Sequence, residues 1–263
     1  NSARFEATSS HAYLYSGGTK IARSSTNEFQ VGNPDAGVGI AVTMGITGNA
    51  LFGGTGIVTA TKFVGDGVLT ISSNNLFGGS LAGDSLGSGN YNTFLGNQAG
   101  YAIDNADRNT GIGWDALFKV TSGFNNVAVG DMAGFWISSS GGNTVVGSSA
   151  YQYGTATNNT AIGYKALRGL NASNKVTGTD IVAIGRGAAM LCTSAAYNIA
   201  IGYQALYTNT TSNHNVALGY QALRTTTSAQ NVAVGADALR YQTTGSTNTA
   251  VGRGAAEHLT TSS

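Results

Sequence analysis

The chain is short of most things that hold folded proteins together. It has one cysteine, Cys192, which excludes an internal disulfide framework. One proline, Pro34, leaves the turns to other residues. Charged residues are 10% of 263, against about 25% in ordinary globular chains. The 13 basic and 12 acidic residues give a net charge of +1 and are scattered. A nucleic-acid binder would show a basic stripe, so no nucleic-acid partner is expected. No apolar run approaches the ~20 residues that span a bilayer, so no membrane insertion is expected. No signal peptide opens the chain, and Asn1 in place of an initiator Met reads as a fragment or a processed product. Stability has to come from stacking and association.

What the chain has instead is order in small residues. There are 39 glycines, yet 41% of the residues are apolar and regularly placed, which argues against disorder. One phrase recurs eleven times between Asn75 and Ala256: Asn, two small or β-branched residues, an aliphatic, Gly, any two residues, Ala. The pivot glycines are Gly79, Gly96, Gly113, Gly130, Gly147, Gly163, Gly185, Gly202, Gly219, Gly235 and Gly252, at spacings of 17, 17, 17, 17, 16, 22, 17, 17, 16 and 17. Three residues after each stands Ala, and four before each stands Asn, except for Ile181. A unit this short cannot be a domain. It is one rung of a stacked solenoid.

Positions are counted here from the pivot glycine. By the period-two rule, minus three and minus one share one face of a strand. Minus one is aliphatic from Leu95 to Val251, and minus three holds Val127, Val182, Ile199, Val216 and Val232, with Thr in most other rungs. This face is expected to point inward. Minus two is Ala in seven rungs, from Ala128 to Ala250, and is expected to face outward, where small side chains let another subunit approach. The glycine is expected at positive φ or in a tight bend. The Ala after it, with Leu117, Leu167, Leu206, Leu223 and Leu239, should return to the interior. The recurring Asn predicts a ladder of side-chain amides about 4.8 Å apart, in a column roughly 50 Å long. The long spacing places residues 169–179 in a protruding loop.

Residues 1–70 lack the repeat and read as a small β module and connector, with 71–263 as the column. In the module, Ala12–Tyr15, Lys20–Arg23 and Phe29–Val31 are predicted strands, with a turn at Gly17–Gly18. Gly56–Val64 alternates before a Gly65–Asp66–Gly67 turn.

The rung from Asn215 to Leu223, closely matched by Asn198–Leu206 and Asn159–Leu167, resembles a repeat of bacteriophage tail fibres, including fibres followed by a C-terminal intramolecular chaperone. The leader from Gly56 to Gly67, and Lys20–Thr26, resemble segments of fibres from phages of cyanobacteria. The resemblance implies a homotrimeric fibre in the virion, joined to other tail or baseplate proteins and touching a bacterial surface glycan or protein. A chaperone removed by self-cleavage would suit the end at Thr260–Ser263. A similar repeat builds the heads of bacterial trimeric autotransporter adhesins, in shorter units; that is the second reading.

Chemistry is sparse, and no enzyme, cofactor or metal is expected. Glycosidases need paired carboxylates; Asp115 and Asp131 lie one rung apart and near in phase, but surface carboxylates explain them better. His11, His214 and His258 are far apart and no metal-binding spacing occurs. Gly78–Asp84 faintly matches a calcium-binding nonapeptide, without tandem copies. Cys192, beside Met190 and Leu191, reads as a small buried residue. The aromatic residues directly after the pivot, Trp114, Tyr164, Tyr203 and Tyr220, are candidate glycan contacts. The alternative for them is a ladder that only stabilises successive rungs. A polysaccharide-degrading tailspike and an ice-binding solenoid remain as minor alternatives, the second weakened by Val and Ile interrupting the Thr row of Thr93, Thr110, Thr144, Thr160 and Thr249.

Overall fold

A computed structural model describes residues 4–7, 11–16, 19–25, 28–31, 69–72 and 74–259, with side chains over 74–259. The chain divides into two compact units, Asn1–Val58 and Thr59–Ser263. In the first, β1 (Arg4–Ala7), β2 (His11–Ser16), β3 (Thr19–Ser25) and β4 (Glu28–Val31) form an antiparallel meander. The three expected strands are present as β2 to β4, and β1 adds a strand the pattern did not reveal. The Gly17–Gly18 turn, the Gly56–Val64 alternation and the Gly65–Asp66–Gly67 turn lie outside the described residues.

The second unit is an all-β solenoid. β5 (Leu69–Ser72) pairs antiparallel with β6 (Asn75–Gly78). The parallel series continues through β7 (Thr93–Leu95), β8 (Thr110–Ile112), β9 (Val127–Val129), β10 (Thr144–Val146) and β11 (Thr160–Ile162). It ends with β12 (Val182–Ile184), β13 (Ile199–Ile201), β14 (Val216–Leu218), β15 (Val232–Val234) and β16 (Thr249–Val251). From β6 onward each strand pairs in register with the next, so equivalent residues of successive rungs stand above one another. The pivot glycines align with them, at φ between +119° and +142°.

The strand faces are the reverse of the sequence expectation. The middle residue points inward: Phe94, Ala128, Val145, Ala161, Ala183, Ala200, Ala217 and Ala233 are fully buried. The aliphatic residues on either side face out, and Ile112, Val127, Val146, Ile199, Ile201 and Val251 are exposed. Cross-section explains the inversion. A rung of about 17 residues encloses a narrow interior already occupied from the opposite wall by the expected Ala and Leu. Ala116, Leu117, Ala166, Leu167, Ala205, Leu206, Ala222 and Leu223 are all fully buried. Across from a Leu, only a small side chain fits. The Ala side chains expected outside are therefore inside, and they offer no outward surface for a second subunit to approach.

The two Phe rungs obey the same volume rule. Where minus two is Phe, the position four after the glycine is Gly: Phe77 with Gly83, Phe94 with Gly100. A Cβ on Gly100 would lie 2.5 Å from the Phe94 ring, and one on Gly111 of the next rung 2.7 Å from it. The two rings stack at 5.7 Å. Where Leu takes the plus-four position it sits at positive φ, from +47° at Leu223 to +54° at Leu117. That conformation costs about 1–2 kcal/mol per residue, and burying a Leu returns about 1.5–3 kcal/mol.

The amide ladder is present and lies inside. Asn92 Oδ1 accepts from Asn109 N at 2.9 Å, Asn109 Oδ1 from Asn126 N at 3.0 Å, and Asn126 Oδ1 from Asn143 N at 3.2 Å. Each Nδ2 reaches across the rung to a turn carbonyl, as from Asn109 to Gly123 O at 2.8 Å and from Asn126 to Ser140 O at 2.9 Å. One buried amide thus joins two rungs and closes its own. The Ile181 N–H donates to Asn159 Oδ1 at 2.9 Å, but isoleucine has no amide to pass the ladder on; it resumes where Asn215 N donates to Asn198 Oδ1 at 2.8 Å. After this rung-to-rung ladder, residues 170–174 form the exposed tip of the expected loop, capped by Asn171 Oδ1 accepting from Ser173 and Asn174 N–H groups.

A candidate glycan-contact column

The turn that follows each strand fixes where the plus-one side chains go. The glycine turns the chain off the sheet, and Ala at plus three donates back to the glycine carbonyl, as from Ala166 N to Gly163 O at 3.1 Å. The plus-one residue is left on the surface at the same place in every rung. Tyr164, Arg186, Tyr203 and Tyr220 follow one another in this column, and Trp114 stands earlier, separated from them by Asp131 and Ser148.

The structure brings three of the four predicted aromatics together. Tyr203 and Tyr220 stack at 5.3 Å and 11°. The Arg186 guanidinium carbon is 5.8 Å from the ring centres of both Tyr164 and Tyr203, so it bridges them. Lys165 Nζ lies 4.8 Å from the centre of the Tyr164 ring. A hydrogen bond with Lys165, helped by the charges of Lys165, Arg186 and Arg168, holds the Tyr164 hydroxyl below its usual range despite slight desolvation. Trp114 is 49% exposed and Tyr220 50%, yet among the described residues Trp114 joins no such stack. The arrangement is both a ladder and an exposed aromatic, cationic surface.

Other aromatic residues settle into structural places. Tyr101, Phe118 and Phe135, half-buried, stack on successive rungs at 5.0 and 4.9 Å. Tyr151 is fully buried; its hydroxyl donates to Ala156 O and accepts from Ala156 N and Asn159 Nδ2. Burial raises its pKa above the ordinary tyrosine range.

Asp115 is 7% exposed, and its Oδ1 has no hydrogen-bond partner among the described residues. Burial, then the charge of Asp131, raise its pKa. The two carboxylates do sense each other, but Asp131 is exposed and takes a hydrogen bond from Ser148 Oγ at 3.4 Å. Among the described residues no three His, Cys, Asp or Glu side chains converge as metal ligands, and no helix is long and apolar enough to cross a membrane. Cys192 is buried, as its apolar neighbours predicted, and burial pushes its thiol up to about 12.

Sequence reasoning missed the cations. Arg186 occupies the plus-one column between Tyr164 and Tyr203, and aligning the rungs on their glycines shows it there. Gly187 interrupts the plus-two column, where Lys165 precedes it and Gln204 and Gln221 follow. A cavity of about 170 Å³ opens at that break, lined by Tyr164, Lys165, Arg186, Gly187, Met190, Gln204 and Tyr207. Comparison with known proteins returned no match, whether to family models, to curated sequences or to solved structures.

Proposed function

We propose that this chain is a non-enzymatic structural and adhesive part of a phage tail fibre, a homotrimer in the virion that contacts a host-surface glycan or protein. The observation that carries the reading is the outward aliphatic strip. It runs from Leu95 in β7 to Val251 in β16 as an unbroken column of Leu, Ile and Val, roughly 45 Å long at the usual strand spacing, beside a second column of Val, Ile and Thr. Soluble monomers seldom leave so long a contiguous apolar strip in water. A strip running lengthwise along the column fits side-by-side packing of parallel copies about a common axis. The exposed Tyr and Arg column would then be repeated around the fibre, and weak sugar contacts would add up through avidity. The count of three and the tail-fibre setting rest on the repeat's resemblance, together with attachment to other tail or baseplate proteins.

Light scattering on the purified protein tests the assembly. The expected mass is three times 26.6 kDa, and a monodisperse monomer would refute it. Ile199→Asp with Ile201→Asp should convert the assembly to folded monomers. The head of a bacterial trimeric adhesin would use the same strip, and electron microscopy of virions labelled with an antibody to this chain separates the two.

A further inference from the structure

The break in the plus-two column has a chemical character of its own. Gly187 forms its floor at φ +68°, and a Cβ there would meet nothing nearer than 3.6 Å. The space is therefore real, not a close approach of backbone. Lys165 stands on the rung before it, Arg186 beside it, and Gln204 and Tyr207 on the rung after it. No carboxylate lines it. Among the described residues the ion pairs all involve Arg240, with Asp237 and Glu257, so the charges of Lys165 and Arg186 are not neutralised by a protein partner. Gln204 is held by hydrogen bonds its Oε1 accepts from Gln221 Nε2 at 3.0 Å and Arg224 Nε at 3.3 Å. Its own Nε2 is left as a donor toward the surroundings.

We propose that this notch is a subsite for one hexuronic acid unit of an acidic surface polysaccharide. The inference rests on the glycan-contact reading above and names the class of sugar. Arg186 and Lys165 would take the carboxylate, the guanidinium offering paired donors that match its two oxygens. The Tyr164 and Tyr207 rings would pack the apolar face of the pyranose. At about 170 Å³ the cavity suits a single sugar unit, with the chain continuing along the column toward Tyr203 and Tyr220. A neutral sugar would leave two cations desolvated without compensation.

Calorimetric titration of the intact protein with oligogalacturonate and with neutral oligogalactose tests this. The acidic oligomer is expected to bind about tenfold more tightly or better, which is the scale of one charge-assisted contact, and added salt should erode the difference. Two variants locate it. Gly187→Gln fills the notch and extends the Gln204–Gln221 row, whose members already sit at φ +51° and +53°; Arg186→Gln removes the exposed cation. Each should abolish the acid preference, bringing the two oligomers to equal affinity. An acid preference that survives both variants overturns the subsite. Equal binding of both oligomers, unchanged in the variants, also overturns it and leaves the glycan-contact reading standing. Binding of neither oligomer removes the subsite and counts against glycan contact itself.

Discussion

The two faces of the solenoid sheet use the same strands and opposite rules. Inside, each strand contributes one side chain, usually Ala, pressed against the Ala and Leu of the far wall and fully buried. Outside, it contributes two, usually β-branched or Leu, and these remain partly or wholly in water in the single chain. A narrow roll has room for a ring along its strand where the far wall is glycine, as at Phe94 and Gly100; most rungs carry their large strand side chains outside. The interior fixes the rung, and the exterior is free to be an interface. That difference can be broken from either side.

The largest effect is expected at the edge where the chain leaves the sheet. A Cβ on Gly202, at φ +133°, would lie 2.3 Å from Gly219 O of the next rung. Gly202→Ala combines that overlap with backbone strain and should cost roughly 3 kcal/mol or more. Gly252 has nearly the same φ, +123°, but the nearest atom to its Cβ would be 4.0 Å away. Gly252→Ala should therefore show strain alone, about 1–2 kcal/mol. Urea unfolding of both variants measures the difference, and equal losses would mean that rung contact is not what the glycine protects.

Next comes the contrast between neighbours on opposite faces. Ala200→Leu places a large side chain against Leu206 and should cost about 2–3 kcal/mol by overpacking. Ile199→Ala, one residue away on the outer face, should change the stability of the rung itself by about 0.5 kcal/mol or less, the usual size for a surface site. Its consequence should appear in subunit association instead. If Ile199→Ala proved as damaging as Ala200→Leu in isolated monomers, the outer face would have to be packed within the chain.

A smaller effect is expected in the amide ladder. Asn126→Ala leaves Asn143 N without its side-chain acceptor and Ser140 O without its donor, worth about 2 kcal/mol. Ile181 shows that a rung can do without the amide, and Ile181→Asn would extend the ladder from Asn159 toward Asn198. Near-neutral stability for Ile181→Asn is expected in thermal melts. A loss as large as that of Asn126→Ala would show that the loop rung has repacked around the isoleucine.

Most of this architecture was legible because the register is rigid: Asn to Asn and Gly to Gly at near-constant spacing already dictates stacked strands and an amide ladder, though not that the ladder lies inside. The face of the strand was not legible. Period-two alternation says that Val127 and Val129 share a side and Ala128 takes the other, but hydrophobicity favours putting the valines inside. Only the width of the roll, set by Leu117 and its equivalents across the interior, reverses that choice. The sugar-contact candidates were partly legible for a related reason. Plus one marks a fixed surface column, so Tyr164, Tyr203 and Tyr220 could be grouped, while the gap at Gly187 appears only when a missing side chain is read as space. Trp114 shares the column but sits too many rungs away to join.

The last contrast is in protonation, and it concerns only the interior. Cys192 and Tyr151 are buried and neutral, and burial is the leading cause that raises both pKa values. A group whose pKa is raised in the folded state contributes stability that is whole below its unfolded pKa and is lost as pH rises above it. For the thiol this window opens near 9.0 and runs to about 12; for the phenol it opens near 10.0. Urea midpoints should thus be unaffected by these groups up to pH 9.0 and fall above it, because the unfolded chain ionises first. In Cys192→Ala the onset should move toward 10.0, where Tyr151 begins to contribute. An alkaline limb identical in wild type and Cys192→Ala would show that the thiol is reached by water in the folded rung.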